Sequence, residues 1–394
     1  MPIKVKYVNT HVIQYLAPLI QRLAALEGIE LKVIYGTDAG ALTYYDRDFG
    51  KEIAWDRPLL TGYKYSVLHP GAPLRGGFMG IKGYGLAKLL SPRDTDVVIV
   101  HGCYNHLYLM ATLTALARNI PLLYRTETHA LIKSRPAFKF LKPLFLHPLF
   151  RRVDGHLAIG TLNRQYYLDL GVRPERIFWA PYSIDTAFFG HQTLTPADLR
   201  AKEQGIGLEP GTFRVIFVGK IIGVKRPADV IEAVALMPSR QAVEVIFVGD
   251  GKLRPALEQL AESRAVRAHF LGFRNQSELP GLYALADVIV QPSEHEPWGL
   301  VINEAMTAGL AAVVSDVVGC GPDLVIEGRS GSICGVGDTT AMARSLEKMA
   351  SDPDYLQRLK QGAAEMVKAC SMDRTLEGYR EAIQAVAARR KPRR

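Results

Sequence analysis

The stretch DVIVQPSEHEPWGLVINEAMTAGLAAVVSD, residues 287–316, contains the pattern that decides the fold. A short apolar run at 287–292 is followed by a loop, a helical pattern and a second apolar run at 310–316. Two apolar runs joined by a helix predict parallel strands of the βαβ kind. Glu296 and Glu304 lie around the start of that helix, and no Cys or His pair accompanies them as a metal site would require. The two carboxylates therefore need another explanation.

The same alternation of apolar runs and helical patterns extends along both halves of the chain. The runs are at 3–8, 31–36, 96–101, 121–126 and 156–160 in the first half, and at 213–219, 243–249, 268–272, 287–292 and 310–316 in the second. Each half is predicted to form its own doubly wound parallel sheet. A length of 394 residues also favours two domains over one core. The predicted fold class is α/β with two Rossmann-like domains.

The domain boundary is predicted in a Pro- and Gly-containing stretch, 180–196, where both patterns lapse. We expect an N-terminal domain at 1–187 and a C-terminal domain at 188–371, with a last helix, 372–394, that packs back on the first. Ligands of doubly wound sheets bind beyond the carboxyl ends of the strands. Two such domains that face each other would enclose a deep cleft.

Composition excludes some classes of protein and leaves others open. The chain is 48% hydrophobic and 22% charged, and it has neither a leader pattern nor an apolar run near the ~20 residues of a spanning helix, so we expect a cytoplasmic protein. Its four scattered cysteines predict reduced thiols rather than a zinc site or disulfides. A net charge of +9 suits an anionic partner, which charge alone does not identify among nucleic acid, membrane and phosphorylated small molecules.

A basic loop follows the strand pattern of FVGKIIGVKRPADVIEAV, residues 217–234. Lys220, Lys225 and Arg226 cluster in this loop, and Pro227 is placed in the first turn of the next helix. Backbone N–H groups and cations together form an anion site suited to a diphosphate. The loop matches neither the GxGxxG nor the Walker pattern. A solvated basic loop is the alternative.

The loop EPWGLVINEAM combines open amides with carboxylates. Gly299 allows a ligand close to the backbone, and the N–H groups of Gly299, Leu300 and Val301 favour negative charge. Glu304 is expected to return to the same pocket from the helix, and Glu296 precedes the helix. A carboxylate near a diphosphate is costly unless it accepts hydrogen bonds from neutral hydroxyls. Ribose and sugar hydroxyls are such donors.

In combination these motifs, over 213–338, resemble the retaining glycosyltransferases of family 4, which have the GT-B fold. The first domain resembles them through THVIQYLAPLIQRLA (10–24) and DFGKEIAWDRPLLTGYKY (48–65), which look like enzymes of bacterial polysaccharide assembly. The resemblance implies a retaining enzyme that moves a sugar from a nucleotide sugar to a glycan or lipid-linked acceptor in cell-surface polysaccharide biosynthesis. UDP is the expected nucleotide, with GDP second, and neither a metal nor another cofactor is expected.

The resemblance also implies roles for individual residues. Lys220 and Lys225 look like the basic pair that neutralises the donor diphosphate, although the first is more often arginine in the family. Glu304 resembles the glutamate that binds the ribose, and Glu296 the one near the transferred sugar. The remaining donor-site residues implied are Gly272, Phe273, Trp298, Gly299, Leu300 and Val301. The catalytic group implied is Glu296, Lys225, Lys220 and His129.

Acceptor-side residues are less sharply defined, because the stretch VNTHVIQY lacks the glycine-rich turn of the family. Thr10 is predicted to cap the first helix, with His11 and Gln14 facing the cleft. LLYRTETHAL offers Glu127 and His129, and the sequence leaves open which of the two faces the sugar. A lone histidine is more often structural than catalytic, so His129 and His11 carry that alternative.

The segment LIKSRPAFKFLKPLFLHPLFRR, residues 131–152, carries six Lys or Arg and no acid. It is expected either to lie on the anionic inner face of the plasma membrane or to form a core helix with snorkelling lysines. Membrane contact would favour a lipid-linked acceptor.

Three rival functions are an inactive nucleotide-sugar-binding partner of another transferase, a nucleic-acid-binding protein and a Rossmann oxidoreductase. Nucleic-acid binding is not expected, since no recognition module is present, and the oxidoreductase would need the missing GxGxxG.

Overall fold

The structure is a computed structural model that describes residues 1–41, 43–46, 49–132, 146–190 and 195–389. The chain divides into two compact units. The first unit consists of Met1–Tyr44, Ile53–Tyr182 and Met372–Arg394, and the second of Tyr45–Glu52 and Ser183–Ser371. The first unit ends at Tyr182 before the chain enters the second, five residues earlier than the predicted boundary at 187. The short segment Tyr45–Glu52 groups with the second unit, although the sequence assigned it to the first domain.

The first unit is built on a parallel sheet. Its strands are β1 (Ile3–Asn9), β2 (Ile29–Tyr35), β5 (Lys64–Val67), β6 (Val97–Val100), β7 (Leu122–Tyr124), β8 (Gly155–Ala158) and β9 (Ile177–Trp179). Strands β3 (Tyr44–Asp46) and β4 (Lys51–Ile53) form a separate two-stranded sheet, most of which groups with the second unit. The order in the sheet is β5-β2-β1-β6-β7-β8-β9. The order reverses beside β1, which is the feature of a doubly wound sheet.

The second unit repeats this architecture. Its strands are β10 (Phe213–Val218), β11 (Val243–Val248), β12 (Arg267–Phe270), β13 (Val288–Gln291), β14 (Ala311–Ser315) and β15 (Gly331–Cys334), in the order β12-β11-β10-β13-β14-β15. The pairs are parallel, and β10 pairs with both β11 and β13. The topological switch therefore lies between β10 and β13, where the two loops with the strongest sequence motifs begin.

Helices connect the strands in both units. They are α1 (Ala17–Ala24), α2 (Leu86–Leu89), α3 (His106–Ala117), α4 (Thr161–Asp169), α5 (Thr186–Gly190), α6 (Pro196–Ile206), α7 (Ala228–Ala235), α8 (Arg254–Ser263), α9 (Leu279–Tyr283), α10 (Leu300–Thr307), α11 (Gly321–Leu324), α12 (Thr339–Ser351), α13 (Pro353–Met366) and α14 (Met372–Ala388). Helix α14 contacts β8 and β9, which places it on the sheet of the first unit.

The ten apolar runs predicted as strands are strands in the structure because most are buried on both faces. All residues of β11, β13 and β14 are buried, as the helices cover both sides of the sheet. Strands β5 and β9 were not predicted. Lys64–Val67 contains exposed and half-buried side chains only, and Ile177–Trp179 is half-buried, so neither carries a continuous apolar signal.

Several local predictions are wrong. Thr10 does not cap α1, which begins at Ala17 without a side-chain cap; the Thr10 hydroxyl instead lies 2.9 Å from His11 Nδ1. Pro227 is the residue before α7 rather than within its first turn, since Arg226 adopts a left-handed conformation with φ of 49°. The stretch predicted as a linker contains α5 and the start of α6, and its residues 191–194 lie outside the described part of the chain.

The cysteines are thiols, three of them buried and Cys103 half-buried, as the scattered spacing predicted. Residues 133–145, the greater part of the basic segment 131–152, lie outside the described residues. The membrane contact predicted for this segment therefore stays a prediction. Within the residues described, no helix combines the length and apolar character that crossing a membrane demands.

Candidate active site

Three predicted site residues lie in loops at the carboxyl edge of the second sheet. Lys220 follows β10, Lys225 ends a short 3₁₀ turn in the same loop, and Glu296 lies in the loop after β13. The Lys225 ammonium forms an ion pair with the Glu296 carboxylate. Gln291, at the end of β13, donates a second hydrogen bond to that carboxylate at 3.1 Å. The backbone joins the two loops as well, because the N–H of Glu294 donates to a carbonyl of the first loop at 3.0 Å.

The loop that carries Glu296 is fixed from the other side by the loop after β14. The Gly319 N–H donates to the Glu296 carbonyl at 3.0 Å, and the Cys320 N–H donates to the Trp298 carbonyl at 2.9 Å. Gly299 has a φ of +100°, and a Cβ there would lie 3.1 Å from Val318 Cγ1. Only glycine fits this turn without strain. The loop is therefore held by the backbone before any ligand binds.

Helix α10 begins after Gly299 without a side-chain cap, so the amides of Leu300 and Val301 are placed where an anion is favoured. The Trp298 side chain is buried, and its indole N–H donates to Asn303 at 2.8 Å. Any part that Trp298 plays in donor binding therefore acts through the loop that its side chain anchors.

Glu304 lies in the second turn of α10, and the residue is only 8% exposed. Its carboxyl group accepts a hydrogen bond of 2.7 Å from the Tyr283 hydroxyl. Burial raises the pKa of Glu304 to about 7, and the bond from Tyr283 offsets only part of that rise. A carboxyl with this pKa gains or loses its proton near neutral pH. Hydroxyl groups that donate to it would favour the ionised form.

Glu304 is expected to make the stability of the second unit depend on pH. Its folded-state pKa of about 7 lies above the usual 4.5, so the protonated form stabilises the fold at low pH and the stabilisation is lost as pH rises towards 7. Between pH 4.5 and 8 the wild type should lose about 3 kcal/mol more than Glu304→Gln, whose side chain stays neutral. Denaturant unfolding at the two pH values measures this difference. Glu262→Gln, an exposed helix residue, is the control, and equal pH dependence in Glu304→Gln and wild type would contradict the prediction.

The ends of β10, β11 and β12 approach one another closely. A Cβ on Gly249 would lie 1.9 Å from the Gly219 carbonyl oxygen, so the backbone leaves no room for a side chain. The Gly249 N–H donates to the Gly272 carbonyl at 2.8 Å. Phe273 follows Gly272, which places both predicted base-binding residues on this edge. Asp250, which the sequence reasoning missed, lies at the same edge after β11.

Arg226 takes a different place from the two lysines. Its guanidinium donates two hydrogen bonds to Asp229, at 2.6 and 3.0 Å, and these bonds raise the pKa of Arg226. The sequence grouped it with the cations of an anion site. In the structure its charge is balanced by a carboxylate on α7, whereas Lys220 and Lys225 pair with Asp46 and Glu296.

A second polar cluster surrounds Glu127, after β7 in the first unit. Arg125 Nη1 lies 2.6 Å from Glu127 Oε1, and His101 Nδ1 lies 3.4 Å from the same oxygen. The Tyr182 hydroxyl also donates to Glu127. His101 Nε2 lies 3.1 Å from the Tyr7 hydroxyl, so the network continues beneath the carboxylate. The sequence predicted Glu127 as a candidate but not its partners.

The cluster holds Glu127 ionised. Burial alone would raise the pKa of this carboxyl, but the hydrogen bond from His101 and the charge of Arg125 outweigh burial and hold the pKa well below its usual range. Burial lowers the pKa of His101, despite the opposing effect of Glu127. Burial also lowers the pKa of His11 to about 4, so that imidazole is neutral at pH 7. Glu127 is thus a fixed negative charge among neutral donors and one buried arginine.

The remaining first-unit candidates are placed as follows. His129 is buried in the loop after β7, and Gln14 is half-buried before α1. Within the described residues no group of three or more His, Cys, Asp or Glu side chains is arranged to hold a metal ion.

Two parallel-sheet Rossmann-like units define a protein of the GT-B class. Solved structures with this fold include Anabaena HepE in complex with UDP, with a TM-score of 0.75 at 17% identity over 97% of this chain and 100% of that chain. A second is a sucrose-phosphate synthase from Thermosynechococcus elongatus, with a TM-score of 0.72 at 17% identity over 98% of this chain and 99% of that chain.

The chain belongs to the family described as glycosyl transferases group 1, whose model matches residues 200–366. A D-inositol 3-phosphate glycosyltransferase from Streptomyces bingchenggensis is 31% identical over 313 residues, which are 73% of this chain and 67% of the relative. Matches to three other curated relatives, an α-D-kanosaminyltransferase among them, span only 39%, 49% and 50% of those proteins. The chain thus spans half or less of the length of these three.

Proposed function

We propose that this protein is a retaining glycosyltransferase that moves a sugar from a nucleotide sugar to an acceptor hydroxyl. The observation that carries the proposal is the Lys225–Glu296 ion pair, with Lys220 in the same loop as Lys225 and the uncapped start of α10 after Glu296. These groups supply positive charge for a diphosphate beside a carboxylate for sugar hydroxyls. Family membership supports the same reaction class.

The proposed reaction breaks the bond between the sugar C1 and the donor diphosphate oxygen, and forms a bond from C1 to the acceptor oxygen on the same face. The acceptor proton passes to the departing diphosphate oxygen. Lys220, Lys225 and the α10 amides stabilise the charge that develops on the diphosphate, which is the step where fixed charges contribute most. Glu296 orients the sugar through its hydroxyls. Because these groups are cationic or polar already, the proposal requires no metal or other cofactor.

We propose UDP as the nucleotide, with GDP as the alternative. HepE, which shares the fold, is solved in complexes with UDP and with UDP-glucose, which supports a uridine donor. Glu304 would accept hydrogen bonds from the ribose, and the backbone at Gly272 and Phe273 would contact the base. Ribose binding would favour the ionised form of Glu304, so the affinity for UDP should rise with pH through 7.

For the acceptor we propose a glycan or lipid-linked saccharide of cell-surface polysaccharide biosynthesis. The ionised Glu127 carboxylate, with His11, Gln14 and His129 in the same unit, would receive it or the transferred sugar. A carboxylate held charged by Arg125 is a strong acceptor for hydroxyl groups. The whole carbohydrate-binding surface of the first unit is thus proposed to be organised around one fixed anion.

Peripheral contact with the inner face of the plasma membrane is part of the proposal. Support comes from the first unit, where residues 57–93 contain six Lys or Arg and no Asp or Glu. Large apolar side chains in or beside this stretch are exposed: Leu74 at 41%, Phe78 at 46%, Met79 at 48%, Tyr84 at 59% and Tyr104 at 66%. The Phe78 and Tyr84 rings both lie against His106, with centroids 6.3 and 5.1 Å away, so they share one surface. Exposed apolar groups among cations fit an anionic lipid surface.

Vesicle flotation tests this contact. The protein is expected to float with phosphatidylglycerol vesicles and not with phosphatidylcholine vesicles, and Phe78→Ser with Met79→Ser should reduce flotation several-fold, as buried apolar area and lipid charge both contribute. Leu236→Ser, an equally exposed apolar residue of the second unit, is the matched control. The proposal would be contradicted if flotation were the same with both kinds of vesicle and were unchanged by Phe78→Ser with Met79→Ser.

The function itself is tested by titration calorimetry with UDP, GDP and ADP, followed by NMR detection of sugar transfer or slow donor hydrolysis with the matching UDP-, GDP- or ADP-sugars. One nucleotide should bind, and the product should keep the anomeric configuration of the donor. Binding without transfer or hydrolysis would favour the alternative, a nucleotide-sugar-binding partner of another transferase. The proposal would be contradicted if none of the nucleoside diphosphates UDP, GDP and ADP bound to the wild type or to variants with substitutions in the proposed donor site.

A further inference from the structure

The β3–β4 hairpin comes from the first half of the chain, but its residues 45–52 belong to the second unit. Its side chains reach the ends of three neighbouring strands there. Asp46 places both carboxylate oxygens 3.1 Å from Lys220 Nζ, after β10. Lys51 Nζ lies 3.0 Å from an Asp250 oxygen, after β11. The hairpin therefore lies over the edge where the donor site is proposed.

An aromatic contact completes the attachment of the hairpin. The Phe49 ring packs edge-on against Phe273, after β12, with centroids 5.2 Å apart. The Lys220 ammonium lies 5.1 Å from the Phe49 ring centroid, and the Lys51 ammonium 5.4 Å from that of Phe273. The hairpin thus covers one residue proposed for the diphosphate and one proposed for the base.

The Asp46 carboxylate occupies the place that the proposed function gives to a phosphate group. It presents two oxygens to the ammonium of Lys220, as a phosphate does. A diphosphate on Lys220 would bring a second anion beside the carboxylate, and neighbouring like charges repel. The two anions therefore compete for the same cation.

The attachment is suited to displacement. Lys51 and Asp250 are 37% and 25% exposed, so their ion pair is accessible to water, whereas Lys220 and Asp46 are 29% and 14% exposed and their pair is only partly accessible. An exposed ion pair such as Lys51–Asp250 contributes little to stability, and an edge-on pair of rings adds a modest amount. A ligand with a higher charge than one carboxylate can replace these contacts.

We propose that Asp46 is an internal competitor for the donor diphosphate, which must displace its carboxylate from Lys220 to bind. This inference rests on the proposed function, because it takes Lys220 as a diphosphate ligand. The competition lowers the affinity for nucleotides that carry a diphosphate and does not act on a nucleoside without phosphate. Uridine, which brings no charge to Lys220, gains nothing from removal of the carboxylate.

Titration calorimetry of UDP and uridine on wild type and Asp46→Asn tests the inference. Asp46→Asn is expected to bind UDP about 5- to 150-fold more tightly, the range of ordinary coupling between two ligands, and to bind uridine as the wild type does. Asp354→Asn, which makes the same change of charge at an exposed position of α13, is the control and should change neither affinity. Lys51→Gln, which loosens the hairpin without touching Lys220, should also tighten UDP binding.

Hydrogen exchange of β3 and β4 supplies an independent readout. Their amides should exchange faster when UDP is added to the wild type. Unchanged or weaker UDP binding in Asp46→Asn overturns the inference, and so does a hairpin that becomes more protected with UDP. In both cases UDP binding by the wild type would leave the proposed function standing. No binding of UDP, GDP or ADP to either protein would overturn both.

Discussion

Lys225→Met is expected to lower kcat/KM for the donor by about 100- to 1,000-fold, the loss that follows removal of one preorganised group that stabilises the developing charge of a transition state. Lys225 forms the ion pair with Glu296, and both side chains are mostly buried, at 23% and 12% exposed. Removing the ammonium takes one cation from the proposed diphosphate site. It also leaves the Glu296 carboxylate without its ammonium partner, while Gln291 still donates a hydrogen bond to it.

Steady-state kinetics with the nucleotide sugar that binds the wild type measure this loss. Most of it should lie in kcat, because charge on the leaving diphosphate grows as the bond to C1 breaks. Lys202→Met, on α6 at the amino side of β10, is the matched control and should stay within twofold of the wild type. Thermal melting checks that both variants are folded. A folded Lys225→Met with kcat/KM within threefold of wild type would remove Lys225 from the site.

The second sheet was predictable because burial on both faces demands continuous apolar residues. Strands such as Val243–Val248 therefore appear in the sequence as apolar runs, here interrupted only by Glu244, and parallel strands place their following loops at one edge. That geometry places the loops of Lys220, Lys225 and Glu296 at the same edge of the sheet. The prediction of the sheet itself is confirmed, because local pattern and chain topology determine where its strands lie.

The position of the β3–β4 hairpin was not predictable in the same way. The residues from Tyr44 to Ile53 carry no apolar run, and nothing local indicates which sheet they contact. The hairpin is held by ion pairs and rings on partners about two hundred residues away, such as Lys51 with Asp250. Tertiary contacts between exposed polar residues leave no periodic signal in a single sequence.

The Glu127 cluster shows a similar limit. The motif LLYRTETHAL displays an arginine, a glutamate and a histidine, and charged residues after a strand are usually solvated. Burial of Arg125 depends on Tyr182, whose hydroxyl lies 3.3 Å from Arg125 Nη1 and whose ring lies 4.1 Å from the guanidinium carbon. The motif does not show that Arg125 is buried, so the sequence carries no local signal for the network.

Arg125→Met is expected to destabilise the first unit by about 3–5 kcal/mol, the cost of removing one partner from a buried ion pair. Arg125 is 1% exposed, and Glu127 retains His101 and Tyr182 as neutral donors without a full positive charge. The Glu127 pKa should rise, because the charge that opposes the effect of burial is gone. The variant should therefore lose less stability at acidic pH, where Glu127 takes up a proton, than at pH 8.

Denaturant unfolding and thermal melting at pH 5 and pH 8 measure these effects. Arg173→Met is a matched control, since Arg173 and Glu175 have the same spacing but are 63% and 59% exposed, and an exposed pair contributes about 0–1 kcal/mol. The double variant Arg125→Met with Glu127→Gln should recover much of the lost stability, because it leaves no buried charge unpaired. If the double variant were as unstable as Arg125→Met alone, the unpaired Glu127 carboxylate would not be the cause of the loss. Packing of the arginine against Tyr182 would then explain it. A double variant that regains stability would still lack the Glu127 carboxylate. It would therefore be a folded protein in which the loss of acceptor binding can be measured apart from any loss of stability.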